Sequence, residues 1–151
     1  MRAMVLFAAV WLVSGNCTLD AADEGASQLS GKWRVVEFIS NGKTLDSKSE
    51  TVIYEFSDRT YKIARDGKLI AELTFTWRPK SDPPQFESIW KDGDQKEKEL
   101  YPTPTRSIVK IENGEMVRCY YYKPNRYPNA FKSEFRSDPD ESLVLMRLRK
   151  I

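Results

Sequence analysis

Leu69-Ile70-Ala71-Glu72-Leu73-Thr74-Phe75-Thr76-Trp77 alternates one apolar face (Leu69, Ala71, Leu73, Phe75, Trp77) with a second that carries Ile70, Glu72, Thr74 and Thr76. Successive side chains of an extended chain point to opposite sides. A run of this length with period two therefore makes a β-strand with one buried face and one mostly wet face. Asp66-Gly67 stands immediately upstream, and both central residues of a type I′ turn need positive φ, so this dipeptide joins the run to Thr60–Arg65 as a hairpin. Ser57-Asp58-Arg59 turns back again to Thr51–Phe56, where Val52, Tyr54 and Phe56 share a face.

Downstream, Pro79 to Pro84 ends the run, because proline cannot serve an interior ladder. Gln85–Trp90 reads as the next strand. A charged segment, Lys91–Glu99, alternates in sign and reads as a solvated loop leading to Pro102 and Pro104. Ser107–Glu112 and Met116–Tyr122 flank a second hairpin signal, Asn113-Gly114. A long connector over 123–141 precedes the closing strand, Ser142–Leu148. Trp33–Ile39 is the first strand, followed by an Asn41-Gly42 turn and a polar connector, Lys43–Glu50, with room for a short helix. The fold class is all-β: eight antiparallel strands with at most short helices. Such a sheet must close or split into two layers to hide its edges, and the hairpin order favours an up-and-down barrel. A barrel of this size is just wide enough to be filled by side chains or to hold one small ligand.

The chain has 151 residues, and its first 21 read as a signal peptide. Arg2 gives a positive start and Met4–Val13 an uncharged apolar core, shorter than the roughly 20 residues of a membrane-spanning helix. Cleavage after Gly15 and cleavage near Ala21 or Ala22 both leave small residues in place. Cys17 raises the possibility of a lipid anchor, but Ser14-Gly15-Asn16 lack the Leu and the small residue that such a site carries. Residues 29–150 form one domain, and the mature chain is expected to be periplasmic or extracellular, without a transmembrane segment. Removing the leader takes Arg2 and Asp20 together and leaves the net charge at +2, with no basic stripe to neutralise phosphates. Nucleic acid is therefore not an expected partner.

Histidine is absent from the whole chain. Ser-His-Asp and Cys-His nucleophiles are excluded, as are the usual imidazole-based zinc and iron sites. With Cys17 gone, Cys119 has no partner for a disulfide and reads as a small buried hydrophobe. No phosphate loop, nucleophile elbow or dinucleotide fingerprint occurs. The expectation is no catalytic residue, no metal, no cofactor and no enzyme.

Several pieces then occur in a fixed order: Leu29-x-Gly31-x-Trp33-x-Val35-Val36, Asn41-Gly42-Lys43, Asp66-Gly67-Lys68 with Ala71-Glu72, Ile108-x-x-Ile111-Glu112, Cys119-Tyr120, Lys123-Pro124, Phe131, and Leu143-Val144-Leu145-x-Arg147. From Leu29 to Arg149 the chain resembles an uncharacterised lipocalin-like domain family abundant in planctomycete bacteria. The resemblance implies export and a lipocalin-like barrel, and supplies no ligand or activity. Leu73 and Ser107 stand where that family carries glycine, which adds volume inside. It also implies a structural cluster of Gly31, Trp33 and Arg147, in which the Arg147 guanidinium lies across the Trp33 ring where the first and last strands meet; the alternatives are an ordinary exposed Arg147 and Arg149, which would need the opposite face.

Trp33, Tyr54, Phe56, Phe75 and Trp77 share the inward parity of their strands, and Tyr120 or Tyr121 could join them. They read either as a packed core or as the wall of a ligand site. Glu37 shares the parity of Trp33 and Val35, so either a bulge turns it outward or it meets a cation or ligand in the lumen. Two functions follow. One is an exported barrel binding a small apolar or amphipathic molecule, with Trp33, Glu37, Tyr54, Phe56, Phe75 and Trp77 as its wall. The other is a structural or protein-interaction module of the envelope with a solid core and no ligand. The sequence leaves the oligomeric state open.

Overall fold

The computed structural model describes residues 26–45, 50–100, 104–123, 125–134, 136–138 and 141–151. The signal-peptide reading and Cys17 lie outside these residues. A helical turn at 26–29 (α1) leads into β1, Gly31–Ser40. Then come β2 Lys43–Leu45, β3 Val52–Ser57, β4 Thr60–Arg65, β5 Lys68–Arg78 and β6 Gln85–Gly93. A short helix, α2 Gln95–Leu100, precedes β7 Thr105–Glu112, β8 Glu115–Tyr121 and β9 Leu143–Lys150. All pairings are antiparallel, and β9 returns to β1, so eight strands close an up-and-down barrel with β2 as a short flap on the end of β1. Among the described residues no helix is long and apolar enough to cross a membrane.

The hairpins form where the turn dipeptides allow positive φ. Asn41 and Gly42 have φ of 51° and 75°, Asp66 and Gly67 49° and 79°, Asn113 and Gly114 51° and 77°. The first of these turns directs the chain straight back onto β1, pairing Leu45 with Phe38. Residues 43–45 are therefore a strand, where the sequence reading left room for a helix. The loop read over Lys91–Glu99 also differs. Lys91–Gly93 finish β6, and Asp94 then caps α2, its carboxylate accepting from Lys96 N–H at 2.9 Å and its carbonyl from Lys98 N–H at 3.0 Å.

One irregularity decides which way β1 faces. Val35 pairs with Leu148 but Glu37 pairs with Arg147, so Val36 is the extra residue of a β-bulge. Val35 and Phe38 both face the core, and Glu37 faces out. The long connector wraps the outside of β7 to β9. Its Phe131 covers an outer cluster of Ile108, Cys119, Tyr121 and Leu143. Ser133 hydroxyl donates to the Leu143 carbonyl at 2.6 Å and accepts from Gly42 N–H at 3.0 Å. Under this wrap the outer faces of β8 and β9 are apolar at Cys119, Tyr121 and Leu143.

Candidate functional site in the barrel lumen

The lumen is built from the inward residue of each strand. Trp33, Tyr54, Phe56, Phe75 and Trp77 all lie in the main core, as their parity predicts, together with Tyr61, Phe86 and Tyr120. Tyr120 faces in and Tyr121 faces out, under the connector. The rings touch: Phe56 and Tyr61 centroids are 5.0 Å apart, Phe75 and Phe86 5.1 Å, Tyr54 and Tyr61 5.9 Å. Leu73 and Ser107 are fully buried, so the volume they add is inside the barrel.

One end is sealed by α1. Leu29 is fully buried there, and Trp33 indole N–H donates to its carbonyl at 2.7 Å. The cation at Trp33 is Lys150, its cross-strand partner, whose ammonium lies 5.5 Å from the ring centroid. The Lys150 stem also crosses Gly31: a Cβ there would sit 3.1 Å from Lys150 Cε, and the φ of Gly31 is 109°. The expected Trp33–Arg147 contact is absent. Arg147 is on the outer wall, its Nε 2.9 Å from Glu37 and its Nη1 4.0 Å from Glu115. Glu37 is accordingly not part of the lumen wall, because the bulge at Val36 has taken it outside. Away from Leu29, Val35, Phe38, Val52 and Trp90 pack against the core while staying only partly buried, and Ile111 does the same near the 113–114 turn.

The residue the sequence reading passed over is Arg118. It lies in β8 between Met116 and Tyr120, shares their inward parity and is 5% exposed. Its guanidinium extends into the lumen, past the neighbouring strand β7 to side chains of β6 and β4. Nε donates to Ser107 hydroxyl at 3.2 Å, Nη1 to Tyr61 hydroxyl at 3.4 Å and Nη2 to Ser88 hydroxyl at 3.5 Å. Ser107 hydroxyl in turn donates to the Phe86 carbonyl at 3.1 Å. The guanidinium carbon is 5.0 Å from the Phe86 centroid, 5.3 Å from Tyr120 and 5.8 Å from Tyr61. Burial works against this charge, but the oxygens of Tyr61, Tyr54 and Tyr120 and the Tyr61 hydrogen bond outweigh it, and the group is held above its ordinary pKa.

Among the described residues no Asp or Glu is buried, so Arg118 has no counter-charge in the lumen. The partly buried carboxylates spend themselves on the outer wall, as in Glu72 with Lys91 and Glu87 with Arg106. Cys119 faces away from the lumen. Its thiol sits under the connector 3.3 Å from the Lys132 carbonyl, and burial pushes its pKa up to about 11, the reverse of what a nucleophile needs. Among the described residues no three His, Cys, Asp or Glu side chains come close enough to hold a metal ion. An open depression lined by Ser27, Ser30, Asp58, Arg59 and Thr60 lies outside the sealed end, apart from the lumen. No family model, curated protein or solved structure matches this chain.

Proposed function

We propose that the mature chain is an exported, non-enzymatic barrel that takes a small apolar or amphipathic molecule into its lumen. The observation that carries this reading is Arg118, a buried cation in a largely apolar lumen with, among the described residues, no buried carboxylate to meet it. Hydroxyls and ring faces hold this charge, yet an apolar side chain of similar volume at such a place is commonly neutral or more stabilising, so a cation there points to a use beyond scaffolding. A polar anchor within an aromatic and aliphatic wall is the usual make-up of a small-molecule site. The leader over Met4–Val13 and the resemblance to an exported lipocalin-like family support the compartment. One observation favours the second reading, an envelope module with a solid core: the ring contacts among Tyr54, Phe56, Tyr61, Phe75 and Phe86 fill part of the barrel.

Native mass spectrometry of the protein purified from the envelope of the cells that make it separates the two. The ligand reading expects a leader-cleaved chain carrying one non-covalent molecule that is lost on denaturation. A bare chain that also fails to bind a neutral apolar probe such as N-phenyl-1-naphthylamine favours the solid core.

A further inference from the structure

We propose that the lumen recognises a singly charged acid, an amphiphile whose carboxylate sits on Arg118 and whose apolar body lies toward Val35, Phe38, Val52 and Trp90. This rests on the ligand-binding reading above. A guanidinium has five N–H groups, and the hydroxyls of Ser107, Tyr61 and Ser88 engage one on each nitrogen. Two Nη N–H groups are left over. Tyr61 and Ser88 accept from Arg118, so each keeps its own O–H to donate, whereas the Ser107 O–H is already given to the Phe86 carbonyl. Among the described residues two N–H and two O–H donors therefore surround one positive charge, and the acceptors hydrogen-bonded to it are neutral hydroxyls.

That arrangement matches a carboxylate, which accepts through two oxygens and carries one charge. A phosphate monoester brings close to two negative charges at neutral pH, and among the described residues the lumen offers one buried cation to meet them. The hydroxyl contacts of 3.2–3.5 Å are long for a charged donor, so a carboxylate would be the better acceptor. The competing account is that the faces of Phe86, Tyr120 and Tyr61 hold the cation unaided.

The test uses the delipidated mature protein and two probes of equal chain length, dodecanoic acid and dodecanol, each displacing N-phenyl-1-naphthylamine at neutral pH. We expect the acid to bind about tenfold or more tightly than the alcohol. Arg118→Gln should erase that preference and Arg118→Lys keep part of it. Equal binding of the two probes to the native protein overturns the acid site while leaving lumen binding intact. Binding of neither overturns both. Should the variants not fold, the wild-type protein answers alone with carboxyl-labelled dodecanoate followed by NMR. The bound carboxyl should stay ionised well below the pH at which the free acid titrates, and a bound carboxyl that titrates like the free acid overturns the proposal.

Discussion

Lys150 and Trp33 are cross-strand partners at the seam where β9 closes onto β1, and the Lys150 ammonium lies 5.5 Å from the indole centroid. The same lysine stem lies over Gly31, where a Cβ would approach to 3.1 Å. The Gly-x-Trp start of the domain is thus explained by one neighbour. Glycine leaves the lane open for Lys150, and tryptophan gives its cation a face.

The seam is testable by a double-mutant cycle. Trp33→Phe combined with Lys150→Met should show coupling of about 0.5–1 kcal/mol in unfolding free energy, the range for a cation–π contact at the surface. Trp33→Phe combined with Arg147→Met should be additive, since Arg147 lies on the outer wall with Glu37. The Glu37–Arg147 pair itself is substantially exposed, so Glu37→Gln should change stability by less than about 1 kcal/mol.

Gly93 is the tightest point of the wall. A Cβ there would lie 2.5 Å from the Ile70 carbonyl oxygen and 2.8 Å from Ala71 Cα, at a φ of 137°. Gly93→Ala should therefore destabilise the fold by about 2–4 kcal/mol in chemical denaturation. Gly67→Ala is the control: its φ is 79° with nothing within 4 Å, and about 1 kcal/mol is expected.

Cys119 predicts a pH dependence. Its folded pKa is raised to about 11 by burial, so the folded chain holds the thiol proton after the unfolded chain has released it. The contribution is fully present below about pH 9 and is lost as pH rises toward about 11. Over that window the wild type should lose stability more steeply than Cys119→Ala. Native-state labelling of the thiol should be slow until the connector over 123–141 is displaced, and fast native labelling would contradict the buried placement.

Arg118→Met should abolish the preference for acids while leaving the empty protein no more than about 1 kcal/mol less stable, because the apolar side chain ends the desolvation of a charge that, among the described residues, meets only neutral hydroxyls and rings. A loss of about 3 kcal/mol or more would make Arg118 a structural cation held by the rings.

The barrel was legible because alternation and turn chemistry agree. Ala71 to Trp77 fixes the face of β5, and three Asn-Gly or Asp-Gly pairs fix the hairpins, but at the start of β5 a bulge opposite Ile63 and Ala64 leaves Leu69 exposed and buries Ile70, against the expected parity. The seam was not. The first half of β9 is apolar on both faces, since Leu143 lies under the connector while Val144 and Met146 face the lumen. Its pattern therefore gave no parity, and grouping Arg147 with Leu143 and Leu145 correctly placed them on one face but assigned that face to the inside. The bulge at Val36 is equally silent in the pattern, although a carboxylate at inward parity hinted at it through Glu37. Arg118 did leave a signal: a lone charge at the parity of Met116 and Tyr120, in a strand otherwise free of charge between Met116 and Tyr121.

The most direct measurement is the Arg118 Nε–H resonance followed by NMR as dodecanoate is added to the delipidated wild-type protein. A saturable shift reaching completion at one ligand per chain is the predicted result. An Arg118 signal that does not move through the titration would contradict a lumen built to receive an acid.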